Sequence, residues 1–357
     1  MNRTTLIARR LANLRLSHPE PASVVQVVAA LGALQAQDAA GVLWAVGLRR
    51  PGSTLAEVEQ AIARHELVRT WPMRGTLHLV PARDARWMLE LMASRAAAGA
   101  MGRSRQLGLE EADFARCAGV LRRALRGGKQ LTRDELRQAL EAQGVDTEGQ
   151  RGNHIIRRLG ELGVLCFGVP RGKQPTFAGL HAWAPDPVHL EREEALAEIV
   201  WRYFSSHGPA TIQDFTRWTG LTVADTRVGL AANAHRLVQD TVDDAPHWMA
   251  AGPAPRGRPA PRAHLLPGFD EYMLGFKDRR GALAPPHEQA ICPGGNGMFL
   301  PTIVVDGVVV GTWKRTVRAR AVDVALSPFA PLSRQQLVAV RDAAARYGAF
   351  IGLPARM

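Results

Sequence analysis

Two glutamines and an aspartate interrupt one of the most apolar stretches of this chain. Residues 31–49 read LGALQAQDAAGVLWAVGLR, with Gln35, Gln37 and Asp38 set among aliphatic neighbours. An amide carbonyl can accept a hydrogen bond from a water and aim its dipole at a developing cation. An ionised carboxylate can do both and also take a proton, so Asp38 is the stronger base if it points inward instead of capping a turn. Residues two apart on a helix point to nearly opposite sides. Gln35 and Gln37 therefore converge on one ligand only where a helix ends or distorts. Val24, Val28, Leu31 and Leu34 form an apolar stripe that predicts a helix over 23–35, and Gly41 is compatible with an ending nearby. By residue type alone, two solvated glutamines at a helix end account for the pattern, so the chemistry needs a second argument.

Other chemistries lack their signatures. The chain has no Gly-rich phosphate loop of the Walker type, no HExxH and no G-x-S-x-G elbow. The run GGNG at 294–297 reads as a turn. Cys117, Cys166 and Cys292 lie far apart without paired metal spacing, so the expectation is no metal, no cofactor and a reducing cytoplasm. No apolar run has the length of a membrane span. The basic N-terminus lacks the features of a secretory leader and reads as the first helix of the fold.

Charge suggests a partner. Of 357 residues, 45 are Lys or Arg against 33 acids, a net charge of +12. Arginine's planar fork suits phosphate, and a basic surface gains affinity for DNA by releasing counterions. Double-stranded DNA is thus the expected partner of a monomer associated with the nucleoid, although an Arg-rich proteome would give the same balance. The segment LVRTWPMRGTLHLV offers Arg69, Arg74 and His78. Arg74 and His78, four apart on a strand, would share a face that contacts DNA or forms a surface cross-strand pair. Arg151, Asn153 and Arg157 line one side of a helix whose other side is apolar. That side either enters a groove or is an ordinary solvated face. Lys314 and Arg315, beside Trp313, suit phosphate contact or strand-end solvation equally. Trp44 and Trp71 could stack on a base, but burial is the commoner fate. Asp270 and Glu271 in a strand would point oppositely, with a structural ion pair to Lys277 or Arg279.

The elements that would position these residues follow an α+β pattern: tandem winged-helix units and a β-rich C-terminal module. Unit one, residues 1–105, has helices at about 3–16, 23–35 and 54–65, a β-rich wing and a helix over 83–98. Unit two, 106–190, starts a helix at the capping box Thr132-Arg-Asp-Glu135, continues with a helix over 147–162, and closes with VLCFG and PTFAGL as a hairpin. Unit three, 191–250, repeats the scheme, with helix starts at Thr211 and Thr222 and an Asp-Asp hairpin turn. A Pro/Arg-rich linker over 251–263 leads to the module 264–357, where VVDGVVV signals a hairpin and 333–347 a final helix.

Four segments carry a family resemblance: QAQD (35–38), RTWPMRGTLHLV (69–80), LLPGFDEYMLGFKDR (265–279) and NGMFLPTIVVDGVVVGTWKR (296–315). Together they resemble the winged-helix DNA glycosylases, a family that includes the azinomycin-resistance enzymes and a sister group that unhooks crosslinks. The resemblance spans residues 5 to about 350. It implies tandem winged helices enclosing a basic concave channel, and a catalytic Gln-x-Gln that maps onto Gln35 and Gln37, with Asp38 next in line. Ala36 is smaller than the bulky apolar residue expected between them. The implied activity is monofunctional hydrolysis of the N-glycosidic bond of N7-alkylated purines, bulky or crosslinked, in repair or self-resistance. The rival reading is a non-catalytic winged-helix regulator that reads bases from the helix bearing Arg151, Asn153 and Arg157.

Overall fold

The computed structural model describes residues 1–19, 22–253 and 262–357. Most of the expected linker, residues 254–261, lies outside the described residues. The chain forms two compact units: Met1–Gln60 with Leu196–Trp218 and Thr222–Met357, and Ala61–Ala195 with Thr219–Leu221. Both mix helix and strand.

The discontinuous unit is built on a five-stranded sheet. Its strands run in the order Ala355–Arg356, Val322–Pro328, Val308–Val317, Thr302–Val305 and Ala263–Leu266. All pairings are antiparallel except that of the Ala355–Arg356 edge. Asp306 and Gly307 turn the central hairpin with φ of 49° and 85°, the left-handed pair that a tight hairpin requires. The helix Arg334–Ile351 starts at a Ser333/Gln336 capping box and packs Tyr347 and Phe350 around Trp44. Trp44 is buried and donates its indole N–H to Leu265 O at 2.7 Å, so it serves the core.

The same unit carries the helices Arg3–Asn13, Val24–Leu31 and Ala39–Arg49, and the helices Ile212–Thr219 and Val223–Ala232. Thr211 with Asp214, and Thr222 with Asp225, exchange the reciprocal bonds expected of their start signals. The hairpin Leu237–Val242/Ala245–Ala250 turns at Asp243 and Asp244, both at positive φ. The expected 23–35 helix is shorter. It stops at Leu31 because Gly32 takes φ +79°, where a side chain would be strained. The residues after it are not a loop: 39–49 form a second, almost wholly buried helix.

The contiguous unit contains the hairpin Leu67–Met73/Thr76–Pro81, and then a run of helix from Ala82 to Gln106 with a π segment at Leu89–Ala93. The helices Glu111–Ala124, Arg133–Glu141 and Arg151–Glu161 follow. A small sheet orders Leu131–Thr132, Thr176–Gly179 and Leu165–Phe167. Thr132 and Glu135 form the expected capping box. Ile155, Ile156 and Leu159 are buried, the apolar back read from the sequence. Trp71 is also buried, against Phe167. Among the described residues no helix is long and apolar enough to cross a membrane.

Candidate active site

Ending the helix at Leu31 places the two glutamines in non-helical chain. Leu34 and Gln35 are extended, and the chain stays non-helical until Ala39. Gln37 and Asp38 lie in a bend, so strand alternation does not set the direction of their side chains. Gln35 is half-buried, Ala36 is buried, and Gln37 is exposed. The Gln35 side-chain Oε1 accepts the Gln37 backbone N–H at 3.3 Å, which ties the two positions into one small turn.

This loop rests on a buried acid. The Gln35 backbone N–H donates to Glu271 Oε1 at 3.0 Å. The other oxygen of Glu271 accepts the Trp218 indole N–H at 2.9 Å and faces His207 Nε2 at 3.3 Å. His207 Nδ1 meets Ser206 Oγ at 2.8 Å, and its ring stacks on Tyr203 at 4.6 Å. Glu271 is 1% exposed and His207 fully buried. A buried carboxylate is tolerated only when its oxygens are satisfied, and here both serve as acceptors.

Asp270 and Glu271 are not in a strand. Asp270 caps the short helix Glu271–Leu274 by accepting the Tyr272 N–H at 2.9 Å, so both acids are turned inward. Neither pairs with Lys277 or Arg279. Asp270 instead accepts two parallel bonds from Arg49, each 2.9 Å, with both side chains fully buried. Arg49 ends the Ala39–Arg49 helix, so this fork fixes the helix that follows the glutamine loop. At the start of that helix Asp38 occupies the cap position but makes no capping bond. Its carboxylate is held by Arg315 Nη2 at 3.0 Å. Gly41 leaves room for this, since a Cβ there would lie 2.6 Å from Asp38 Oδ2. Burial raises the pKa of the nearby Tyr347 phenol; Arg315 opposes that rise and Asp38 adds to it.

The other expected contacts are distributed differently. Lys314 and Arg315 alternate along Val308–Val317, so Lys314 is exposed while Arg315 shares the inner side with Trp313 and is committed to Asp38. In the contiguous unit Arg74 is not on a strand. It sits at φ +53° in the turn, so strand alternation does not align it with His78. His78 is fully buried and its Nδ1 faces Thr76 O at 3.1 Å, which removes it from any surface pair. Arg69 lays its guanidinium 4.3 Å over the Phe167 ring. The basic side of Arg151–Glu161 is internally engaged: Arg151 with Asp146 at 3.1 Å, Arg157 with the buried Glu161 at 2.9 Å, and Asn153 with Arg133. The sequence reading missed Glu271, His207, Trp218 and Arg49 as supports of the glutamines. Of the four, only Glu271 lies in a segment that carries the resemblance, LLPGFDEYMLGFKDR; nothing local marked His207, Trp218 or Arg49. Among the described residues no group of three or more His, Cys, Asp or Glu is placed to hold a metal ion.

Comparison with known proteins places the chain in a class. The sequence pattern of the family described as DNA glycosylase AlkZ-like matches residues 28–350, and the chain belongs to that family. An interstrand DNA cross-link repair glycosylase of Streptomyces sahachiroi is 31% identical over 366 residues, covering 94% of this chain and 93% of that protein. The solved structure of the Streptomyces sahachiroi DNA glycosylase AlkZ aligns with a TM-score of 0.81 and 28% identity, over 100% of this chain and 99% of that one.

Proposed function

We propose that this protein is a monofunctional DNA glycosylase that hydrolyses the N-glycosidic bond of N7-alkylated purines, bulky or crosslinked, in double-stranded DNA. The observation that carries the reading is the Gln35–Gln37 turn: two amides two residues apart, Gln37 exposed, with the Gln35 backbone held from behind by buried Glu271. A purine alkylated at N7 is cationic, so the bond from N9 to C1′ breaks with its electron pair leaving on a base that becomes neutral. The sugar gains oxocarbenium character and is captured by water, whose proton passes to solvent. Weak groups suffice for such a leaving base. Gln37 orients the water through its carbonyl, and Gln35 supports water or sugar. Asp38, paired with Arg315, anchors the start of the following helix and is the less suited to act as base.

The scaffold reading that accompanies this is tandem winged helices over 1–105, 106–190 and 191–250, a linker over 251–263 and the module 264–357, acting as a monomer on DNA of the nucleoid in the cytoplasm. A helix pair followed by a hairpin, seen at 133–179 and again at 212–250, supports it. Arg69, Arg74 and Lys314 are the cations proposed for DNA. The regulator reading has less support, because Arg151, Asn153 and Arg157 are bonded to neighbours within their own unit.

The test is duplex DNA carrying a single N7-alkylguanine, followed by alkali to cut abasic sites. Breaks should exceed spontaneous depurination, and Gln37→Ala should slow release about 10²-fold, the scale for losing one preorganised polar group. No excess release from small, bulky or crosslinked adducts would overturn the reading.

A further inference from the structure

The segment that supports Gln35 from below continues into a second site. From Asp270 to Arg280 the chain is pinned along its length: Asp270 by Arg49, Tyr272 by its hydroxyl to Gly307 O at 2.5 Å, and Gly275 by Tyr203 at 2.6 Å. The Lys277 N–H is held by the buried Asp214 at 2.6 Å. Beyond that pin lies a cavity of about 480 Å³ whose wall includes Lys277, Arg279 and Glu288.

Most charge around the cavity is already matched. Arg3 is paired with Asp243 at 2.5 Å and Arg280 with Asp278 at 2.6 Å. Arg10 stacks on Phe276 and lies 4.0 Å from Asp214. Two cations remain. Lys277 is exposed and has no ion pair among the described residues. Arg279 is fixed by its Nε donating to Met273 O at 2.5 Å and by the Phe299 ring 4.8 Å away. Its Nη2 is buried with no hydrogen-bond partner among the described residues. Burial first, and then neighbouring Arg217, pull this guanidinium down to about 10. The half-buried Arg279 side chain and the exposed Lys277 ammonium share this wall with the Glu288 carboxylate, and an anion with several acceptor oxygens suits the two cations together.

We infer that Lys277 and Arg279 seat one phosphodiester of the DNA strand, in a cavity separate from the Gln35 turn and rigidly joined to it. The inference rests on the glycosylase reading for its ligand. Following the pinned path through Glu271 and Met273, Arg279 lies at most roughly 20 Å from the Gln35 amide by standard backbone dimensions. That is about six steps of a strand at 3.4 Å each, so the seated phosphate lies within about six nucleotides of the lesion.

The experiment measures binding of the full chain to lesion-bearing duplexes by anisotropy, with one phosphate at a time replaced by an uncharged methylphosphonate. The Gln37→Ala background keeps the substrate intact. One position within about six nucleotides of the lesion should cost the parent about tenfold in affinity and cost Lys277→Ala or Arg279→Gln almost nothing. The same variants should lower the slope of log K against log salt by roughly 1. Lys277 is exposed, so Lys277→Ala remains a valid test if Arg279→Gln fails to fold. Unchanged slopes and an unchanged methylphosphonate profile in the folded variants would overturn the assignment. Heat protection by inorganic phosphate that depends on Lys277, with an unchanged DNA profile, would also overturn it and make the cavity a free-anion site. Because the readout is binding, a failure of base release alone sinks the glycosylase reading and not this one.

Discussion

The glutamine loop and the Arg151–Glu161 helix are the two places where polar side chains gather beside an apolar core, and they use their partners in opposite ways. At the loop the bracing bond runs inward, from the Gln35 backbone N–H to buried Glu271, while Gln37 lies exposed. On the helix the side-chain heads themselves are consumed: Arg157 by Glu161, Arg151 by Asp146 and Asn153 by Arg133. Support from behind leaves a group available for a ligand. Support at the head makes it part of the framework. A cationic face is therefore a weaker sign of a binding surface than a neutral pair braced mainly through its backbone.

The sharpest way to break this contrast is to remove the inward support. Arg49→Leu leaves Asp270 buried without its fork, which should cost about 3–5 kcal/mol in urea unfolding and take base release down with it. An unchanged urea midpoint would show that the loop does not depend on that pair. Next in size is the loss of catalysis in Gln37→Ala, which should come without any fall in stability because the side chain is exposed.

Much of this framework was legible in local sequence. Thr132 with Glu135 and Thr222 with Asp225 start helices at the expected residues, and Asp243-Asp244 and Asp306-Gly307 turn the expected hairpins. Such signals act over a few residues, so periodicity and turn chemistry reveal them. The early end of the 23–35 helix was missed because Ala33 and Leu34 continue the apolar stripe past Gly32. The Ala39–Arg49 helix was missed because it is buried nearly all round and lacks a polar face. The inward turn of Asp270 and Glu271 depends on Arg49, Trp218 and His207, which lie 53 to 221 positions away, and no local pattern encodes that distance. Gln35 and Gln37 could be singled out from their residue types; what braces them could not.

On the helix side the expected effects are smaller. Arg157→Ala leaves Glu161 with the more distant Arg158 at 3.9 Å, so it should lower stability by about 1 kcal/mol. It should leave the affinity for DNA within a factor of two. A large loss of affinity would restore this helix as a DNA reader. The smallest effect is on pH. His154, beside Ser104, has its pKa lowered by burial first and then by Arg157. The unfolded chain therefore binds this proton more readily than the folded one. Its contribution to stability is complete above about 6.5 and declines as pH falls through that value. Urea midpoints between pH 8 and 5.5 should drop less for His154→Gln than for the parent.

The bonds that brace the glutamine loop span 236 residues to Glu271 and 277 to Arg315. During synthesis at 5–20 residues per second, Gln35 would wait on the order of 10–50 s for those braces to be made. The contiguous unit, almost all of it within Ala61–Ala195, has no such delay. A ribosome that stalls before residue 271 therefore releases a chain in which one unit can fold and the glutamines have nothing behind them. The brace on the glutamine loop is complete only once the chain has passed Arg315.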